Sequence, residues 1–141
     1  MIIKNNPIIR ETVHTSVPTI LLYALYVQFH GEYGPGGGFQ AGVIFAIALV
    51  LYALSYGVER ARRVISTRTA QILASSGLSL YILVGFAGLV MGGQFLDYSV
   101  LLEQPLSAQH LGIILIELGV GITIVGVVML IFYLLMEEVD K

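Results

Sequence analysis

A glutamate inside a long apolar run is the residue of this chain that is best able to do chemistry. Glu117 lies in LGIILIELGVGITIVG, residues 111–126, between aliphatic residues and glycines. In a helix that crosses a membrane, an acidic group near the centre costs at least ~2–3 kcal/mol on insertion scales. Such groups normally face protein or water and take part in proton or ion movement. Glu117 is therefore predicted to be the proton-carrying or cation-binding group.

A second candidate site is the stretch HGEYGPGGGFQAG, residues 30–42, in which His30 and Glu32 stand just before a turn rich in glycine. The turn consists of Pro35, Gly36, Gly37, Gly38 and Phe39. We expect it to start the next helix and to let another helix approach closely. An imidazole and a carboxylate beside a helix N-terminus could also hold a proton or take part in ion movement. Both interpretations remain open.

No other pattern in the chain predicts catalysis, a metal site or another cofactor. Residues 36–41 fit G-x-G-x-x-A, but they lie between two apolar runs rather than between a strand and a helix, and the GK[ST] of a phosphate loop is missing. Cysteine is absent, and the chain has neither HExxH nor a nucleophile beside a base. The remaining polar residues near membrane depth are interpreted as packing or helix-end residues, namely His14, Gln28, Gln40 and His110.

The composition indicates an integral membrane protein in a lipid bilayer. Of the 141 residues, 57% are hydrophobic and 11% are charged, and the mean hydropathy is +0.88. Soluble domains carry about 25% charged residues, so this chain has too little polar surface to cover a globule in water. Its net charge of −2 gives no basic footprint for nucleic acid.

Four segments are long and apolar enough to span a membrane, which takes roughly 20 residues. They predict an all-α fold with four transmembrane helices, at about 14–30, 38–57, 71–91 and 111–136, in a single membrane domain of residues 1–141. Asn6-Pro7 reads as a helix cap followed by a first-turn proline, so the first helix is expected to begin near Pro7.

The seven basic residues predict the orientation. They are Lys4, Arg10, Arg60, Arg62, Arg63, Arg68 and Lys141. The segments 30–37 and 92–110 contain neither lysine nor arginine. By the positive-inside rule, both termini and the 58–70 loop face the cytoplasm.

The last span carries a stripe of small residues. Gly112, Gly119 and Gly126 recur every seven residues and predict a groove for a close helix neighbour. Glu117 lies about 200° around an ideal helix from Gly119, so its carboxylate points almost opposite this groove. Because a four-helix chain cannot easily cover both faces of one of its helices, we expect partner subunits on either side of this span.

Three segments together resemble the B-type subunit of the Mrp-type multisubunit sodium/proton antiporters. They are LYVQFHGEYGPGGGFQAGVIFA (25–46), GGQFLDY (92–98) and QHLGIILIELGVGITIVG (109–126). One departure is Glu32, at a position where many members of that family carry a second histidine.

The resemblance implies an accessory subunit of a hetero-oligomeric antiporter in a bacterial or archaeal cell membrane, with no enzymatic activity of its own. Its expected partners are the other membrane subunits, including large antiporter-like ones, and its transported ions are sodium and protons. Two alternatives stay open. The chain could be a structural scaffold through which no ion passes, or the equivalent subunit of a redox-driven complex such as a membrane-bound hydrogenase.

Overall fold

The computed structural model describes residues 6–31, 34–102 and 104–139. These residues form α1 (Pro7–His30), α2 (Gly38–Tyr56), α3 (Val58–Val64), α4 (Thr67–Val90), a 3₁₀ helix (Tyr98–Val100) and α5 (Pro105–Val139). No β-strand occurs in the described ranges. The prediction of an all-helical protein is therefore confirmed for this part of the chain.

Three helices of the described residues, α2, α4 and α5, are long and apolar enough to cross a membrane. They lie over the predicted spans 38–57, 71–91 and 111–136. The predicted first span, 14–30, lies within α1, a helix of 24 residues that does not reach the same hydropathy.

The helix boundaries follow from local chemistry. Helix α1 begins at Pro7, as the Asn6-Pro7 pair predicts, because the Asn6 side chain accepts a hydrogen bond from the N–H of Ile8 at 3.0 Å. Helix α4 begins in the same way, since the Ser66 hydroxyl accepts from the N–H of Thr69 at 3.0 Å. Helix α2 ends before Gly57, whose φ of 100° suits a residue without a side chain.

The long helices are neighbours in the order α1, α2, α5, α4, so that α5 lies between α2 and α4. The predicted glycine groove of α5 faces α4. A Cβ atom on Gly119 would lie 2.9 Å from the carbonyl oxygen of Gly77, and one on Gly126 would lie 2.6 Å from the carbonyl oxygen of Ala70. The backbones of the two helices therefore touch along this groove.

The connection between α4 and α5 covers the part of the same groove that is nearest the N-terminus of α5. A Cβ atom on Gly112 would overlap the ring of Tyr98 in the 3₁₀ helix. Asp97 caps that short helix by accepting hydrogen bonds from the hydroxyl and the N–H of Ser99, the second at 3.1 Å. These bonds hold the pKa of Asp97 below its usual range.

The other side of α5 packs on α2. A Cβ atom on Gly42 would lie 2.8 Å from the carbonyl oxygen of Gly121, and one on Gly38 would lie 2.8 Å from the Cα atom of Glu117. The expectation that partner subunits must cover both faces of α5 is therefore wrong. Helices α4 and α2 of the same chain cover them, because glycines let all three backbones approach closely.

Short helix α3 is attached to the C-terminal end of α5. The hydroxyl of Tyr133, a residue that is 1% exposed, donates a hydrogen bond to the carbonyl oxygen of Ile65 at 2.6 Å. Arg62 forms an ion pair with Glu137, and its guanidinium carbon lies 5.1 Å from the centre of the Tyr133 ring. These contacts fix the basic segment between α2 and α4 at one end of the bundle.

Candidate functional site

The carboxylate of Glu117 rests against the backbone of the connection between α1 and α2. A Cβ atom on Gly31 would lie 2.9 Å from the Cα atom of Gly37 and 3.0 Å from both carboxylate oxygens, and one on Gly37 would lie 3.0 Å from Oε1. A side chain at either position would therefore crowd the carboxylate. We call the contact surface formed by Gly31, Gly37 and Gly38 the glycine cradle.

The backbone of Glu117 is as closely held as its side chain. Gly38, the first residue of α2, touches the main chain of Glu117, and Gly42 touches Gly121 one turn further along α5. Helices α2 and α5 thus cross at the level of the glutamate. Because the crossing brings the start of α2 to α5, the polar end of one helix meets the carboxylate of the other.

The N-terminus of α2 supplies an electrostatic reason for this arrangement. The first four N–H groups of a helix have no partner inside the helix, and together they carry a partial positive charge. Gly37 occupies the cap position with a φ of 129° and has no side chain to cover those groups. The Glu117 carboxylate, which is partly buried, lies beside this cap residue. The helix end therefore attracts the carboxylate.

Two glutamine side chains lie against glycines near the crossing of α2 and α5. Gln28 of α1 is 9% exposed, and its Oε1 atom lies 2.8 Å from the Cβ position of Gly121. The Oε1 atom of Gln40 lies 3.6 Å from the Cβ position of Gly37. The signal in the sequence was the presence of amides in apolar segments, but only the helix crossing places them beside these glycines.

The structure does not bring every predicted residue to the glutamate. His30, the last residue of α1, is exposed, and its ring stacks on Tyr26 with centroids 4.0 Å apart. Glu32 lies outside the described residues. Pro35 and Phe39 are exposed. Gly36 packs back on α1, since its Cβ would lie 3.0 Å from the carbonyl oxygen of Val27.

The described residues contain no group of three histidine, aspartate or glutamate side chains that could hold a metal ion. The site thus contains a carboxylate packed against glycine backbone, with amide side chains nearby. Such a site can bind a proton or a small cation through oxygen atoms.

Comparison with known proteins assigns the chain to a family. Residues 8–130, which include the glycine cradle and Glu117, match the MnhB family, described as a domain related to the MnhB subunit of a Na+/H+ antiporter. The chain belongs to the MnhB family. Its membership confirms the resemblance seen in the sequence.

Relatives match this MnhB-family chain over nearly its whole length. The B-type subunit of the Na(+)/H(+) antiporter of Bacillus subtilis (strain 168) is 30% identical over 139 residues, which is 96% of each chain. The protein of the same name from Alkalihalophilus pseudofirmus is 31% identical over 134 residues, 87% of this chain and 92% of that one. The similarity therefore covers all the long helices.

A double-mutant cycle tests whether the carboxylate fills the cradle. Gly31→Ala should destabilise the MnhB-family chain by about 1–3 kcal/mol through overpacking, without backbone strain, because Gly31 has an ordinary φ of −58°. In a Glu117→Ala background, which removes the carboxylate but leaves the 2.9 Å contact with the Cα atom of Gly37, the same change should cost less, with a coupling of at least ~0.5 kcal/mol. The readout is the free energy of unfolding in mixed-micelle titrations with SDS.

Gly34→Ala is the matched control, because no atom of the described residues lies within 4 Å of a Cβ at that position. It should be close to neutral in both backgrounds. If Gly31→Ala and Glu117→Ala are additive within ~0.3 kcal/mol, the cost of Gly31→Ala comes from the backbone of Gly37, and the carboxylate does not crowd this position.

Proposed function

We propose that this chain is the B-type subunit of an Mrp-type multisubunit sodium/proton antiporter in a bacterial or archaeal cell membrane, and that Glu117 binds the transported proton or cation within it. Family membership and the names of the two relatives support the first part. The single observation that carries the second part is the contact between the Glu117 carboxylate and the glycine cradle.

The energetics of a membrane carboxylate favour a functional role for Glu117. An acidic residue in a spanning helix is expensive, and a glutamine could make similar packing contacts at lower cost. Here the surroundings are shaped around the acid, since two glycines leave room for its oxygens and a helix N-terminus lies beside it.

The contacts within the chain argue against a scaffold that holds its partners through glycine grooves. Gly38, Gly119 and Gly126 all contact other helices of this chain. Larger residues at these positions would therefore disturb the fold of the subunit itself. Partner subunits, including large antiporter-like ones, would meet the outer faces of the bundle, where α1 and α4 expose large apolar side chains such as Leu22, Phe29 and Phe86.

We further propose that α1 is a fourth transmembrane helix and that both termini face the cytoplasm. At 1.5 Å per residue, the 24 residues of α1 extend about 36 Å, which exceeds the ~30 Å hydrocarbon core. Helix α1 packs along α2, which is apolar enough to span. The positions of the basic residues in the sequence support the orientation.

Single cysteines test this topology, because the natural chain has none. Glu11→Cys and Arg63→Cys should react with a membrane-impermeant maleimide only after the cytoplasmic face is opened. Gly34→Cys should react in intact cells, since it lies at the other end of α1. Labelling of Glu11→Cys from outside would contradict the proposed orientation, and labelling of positions 11 and 34 from the same side would show that α1 does not cross.

Replacement of the glutamate tests its role in transport. Glu117→Gln should abolish sodium-driven proton exchange in vesicles that contain the assembled complex, because the amide keeps the shape but cannot bind a proton or a cation as a carboxylate does. Glu117→Asp should retain part of the activity, because it keeps a carboxylate. The rest should be lost, since this carboxylate is one methylene too short to reach Gly31. Exchange is measured by the fluorescence of a pH-sensitive dye after addition of sodium.

Glu138→Gln is the control for a general effect of charge, since Glu138 is exposed near the end of the same helix. This variant should exchange ions at the normal rate. Amounts of assembled complex are compared on native gels for every variant. Normal exchange by Glu117→Gln at a normal level of complex would remove the glutamate from the ion pathway and favour the purely structural alternative.

A further inference from the structure

A cavity lies between α1 and the end of α2, far along α1 from the glycine cradle. Its volume is about 340 Å³, within the ~300–1,000 Å³ range of ligand pockets. It is lined by Val13, His14, Val17 and Pro18 of α1, by two tyrosines of α2, and by Arg60 of α3. None of these residues belongs to the site of Glu117.

One end of this cavity is basic. Arg60 lines it directly, and Arg10 stands beside it with its guanidinium carbon 5.4 Å from the centre of the Tyr56 ring. The Tyr56 hydroxyl donates a hydrogen bond to the carbonyl oxygen of Arg10 at 3.1 Å, which fixes α1 to α2 at this point. The adjacent acids, Glu11 and Glu59, do not line the cavity. The lining therefore includes a cationic side chain and neither of these acids, which suits an anion.

The other end of the cavity is apolar, with one unusual acceptor. Val13 and Val17 supply aliphatic surface, and the ring of Pro18 continues it. Pro18 has no N–H group, so the carbonyl of His14 cannot receive the usual helical bond from four residues further along. This carbonyl is therefore left as a hydrogen-bond acceptor on a residue that lines the cavity. A molecule that matches the cavity thus combines an anionic group, a hydroxyl and an apolar chain.

We propose that this cavity binds an anionic phospholipid with a glycerol headgroup. Its phosphate would pair with Arg60 and Arg10, a headgroup hydroxyl would reach the carbonyl of His14, and an acyl chain would lie along Val13, Val17 and Pro18. The proposal relies on the membrane location of the chain but not on any role of Glu117. The proposal gives Arg60 a role that the neighbouring arginines lack. Arg62, Arg63 and Arg68 do not line this cavity.

Photo-crosslinking in the assembled complex tests the proposal. The complex is reconstituted in phosphatidylcholine vesicles that contain a minor fraction of a photoreactive phosphatidylglycerol, and adducts on this chain are mapped by peptide mass spectrometry. Adducts should concentrate on the α1 and α2 residues of the cavity. Arg60→Gln should reduce them about fivefold, the factor that corresponds to ~1 kcal/mol for one basic residue near a lipid phosphate.

Arg63→Gln is the matched control, because Arg63 is exposed on the same short helix and does not line the cavity. It should leave the adducts nearly unchanged, and Arg60→Lys, which keeps the charge, should retain most of them. Each variant must copurify with its partners in normal amount, which shows that it is folded.

Three results would overturn the proposal. Equal loss of adducts in Arg60→Gln and Arg63→Gln would indicate diffuse attraction to the membrane surface. Equal labelling by a photoreactive phosphatidylcholine would show that the headgroup charge is not recognised. Absence of adducts from the cavity in the natural complex would mean that another protein of the complex or solvent occupies it instead.

Discussion

The close approach of three helix backbones at α5 is the constraint on which the rest of this structure depends. In a membrane the hydrophobic effect does not hold helices together, so they associate through packing and polar contacts. Because α2, α4 and α5 carry glycines where they meet, backbone atoms of one helix lie where a Cβ atom on the neighbouring helix would otherwise be. Helix α5 is thereby held on two opposite faces, and its side chains have fixed positions. Glu117 is one of them.

This constraint also explains why the glycine-rich connection matters to the glutamate. Gly38 brings the start of α2 onto the backbone of Glu117, while Gly31 and Gly37 leave the space that its carboxylate takes. In the function that we propose, the same residues therefore serve packing and chemistry. The stretch at 30–42 can be interpreted both as a packing turn and as an ion site. In that proposed function, both interpretations apply, because its glycines pack against α5 and also surround the carboxylate of Glu117.

Most of the helices could be predicted from the sequence, whereas the site could only be predicted in pieces. Apolar runs and the Asn6-Pro7 cap located the helices, because both are local properties of the chain. The cost of a membrane carboxylate singled out Glu117, and the glycine period located the face that meets α4. The contact between Glu117 and Gly31 could not be foreseen, since it depends on where α2 crosses α5. For the same reason the sequence suggested outside partners for a helix that this chain covers by itself.

The most direct test of the central claim uses the natural chain and a reagent for carboxyl groups in apolar surroundings. The assembled complex is treated with dicyclohexylcarbodiimide at several sodium concentrations, and the peptide that contains Glu117 is quantified by mass spectrometry. If this carboxylate binds protons and sodium in turn, an adduct forms on Glu117 and its rate of formation falls as sodium rises. An adduct that forms at the same rate at every sodium concentration, or no adduct on Glu117 in a complex whose exchange is inhibited, would contradict the account.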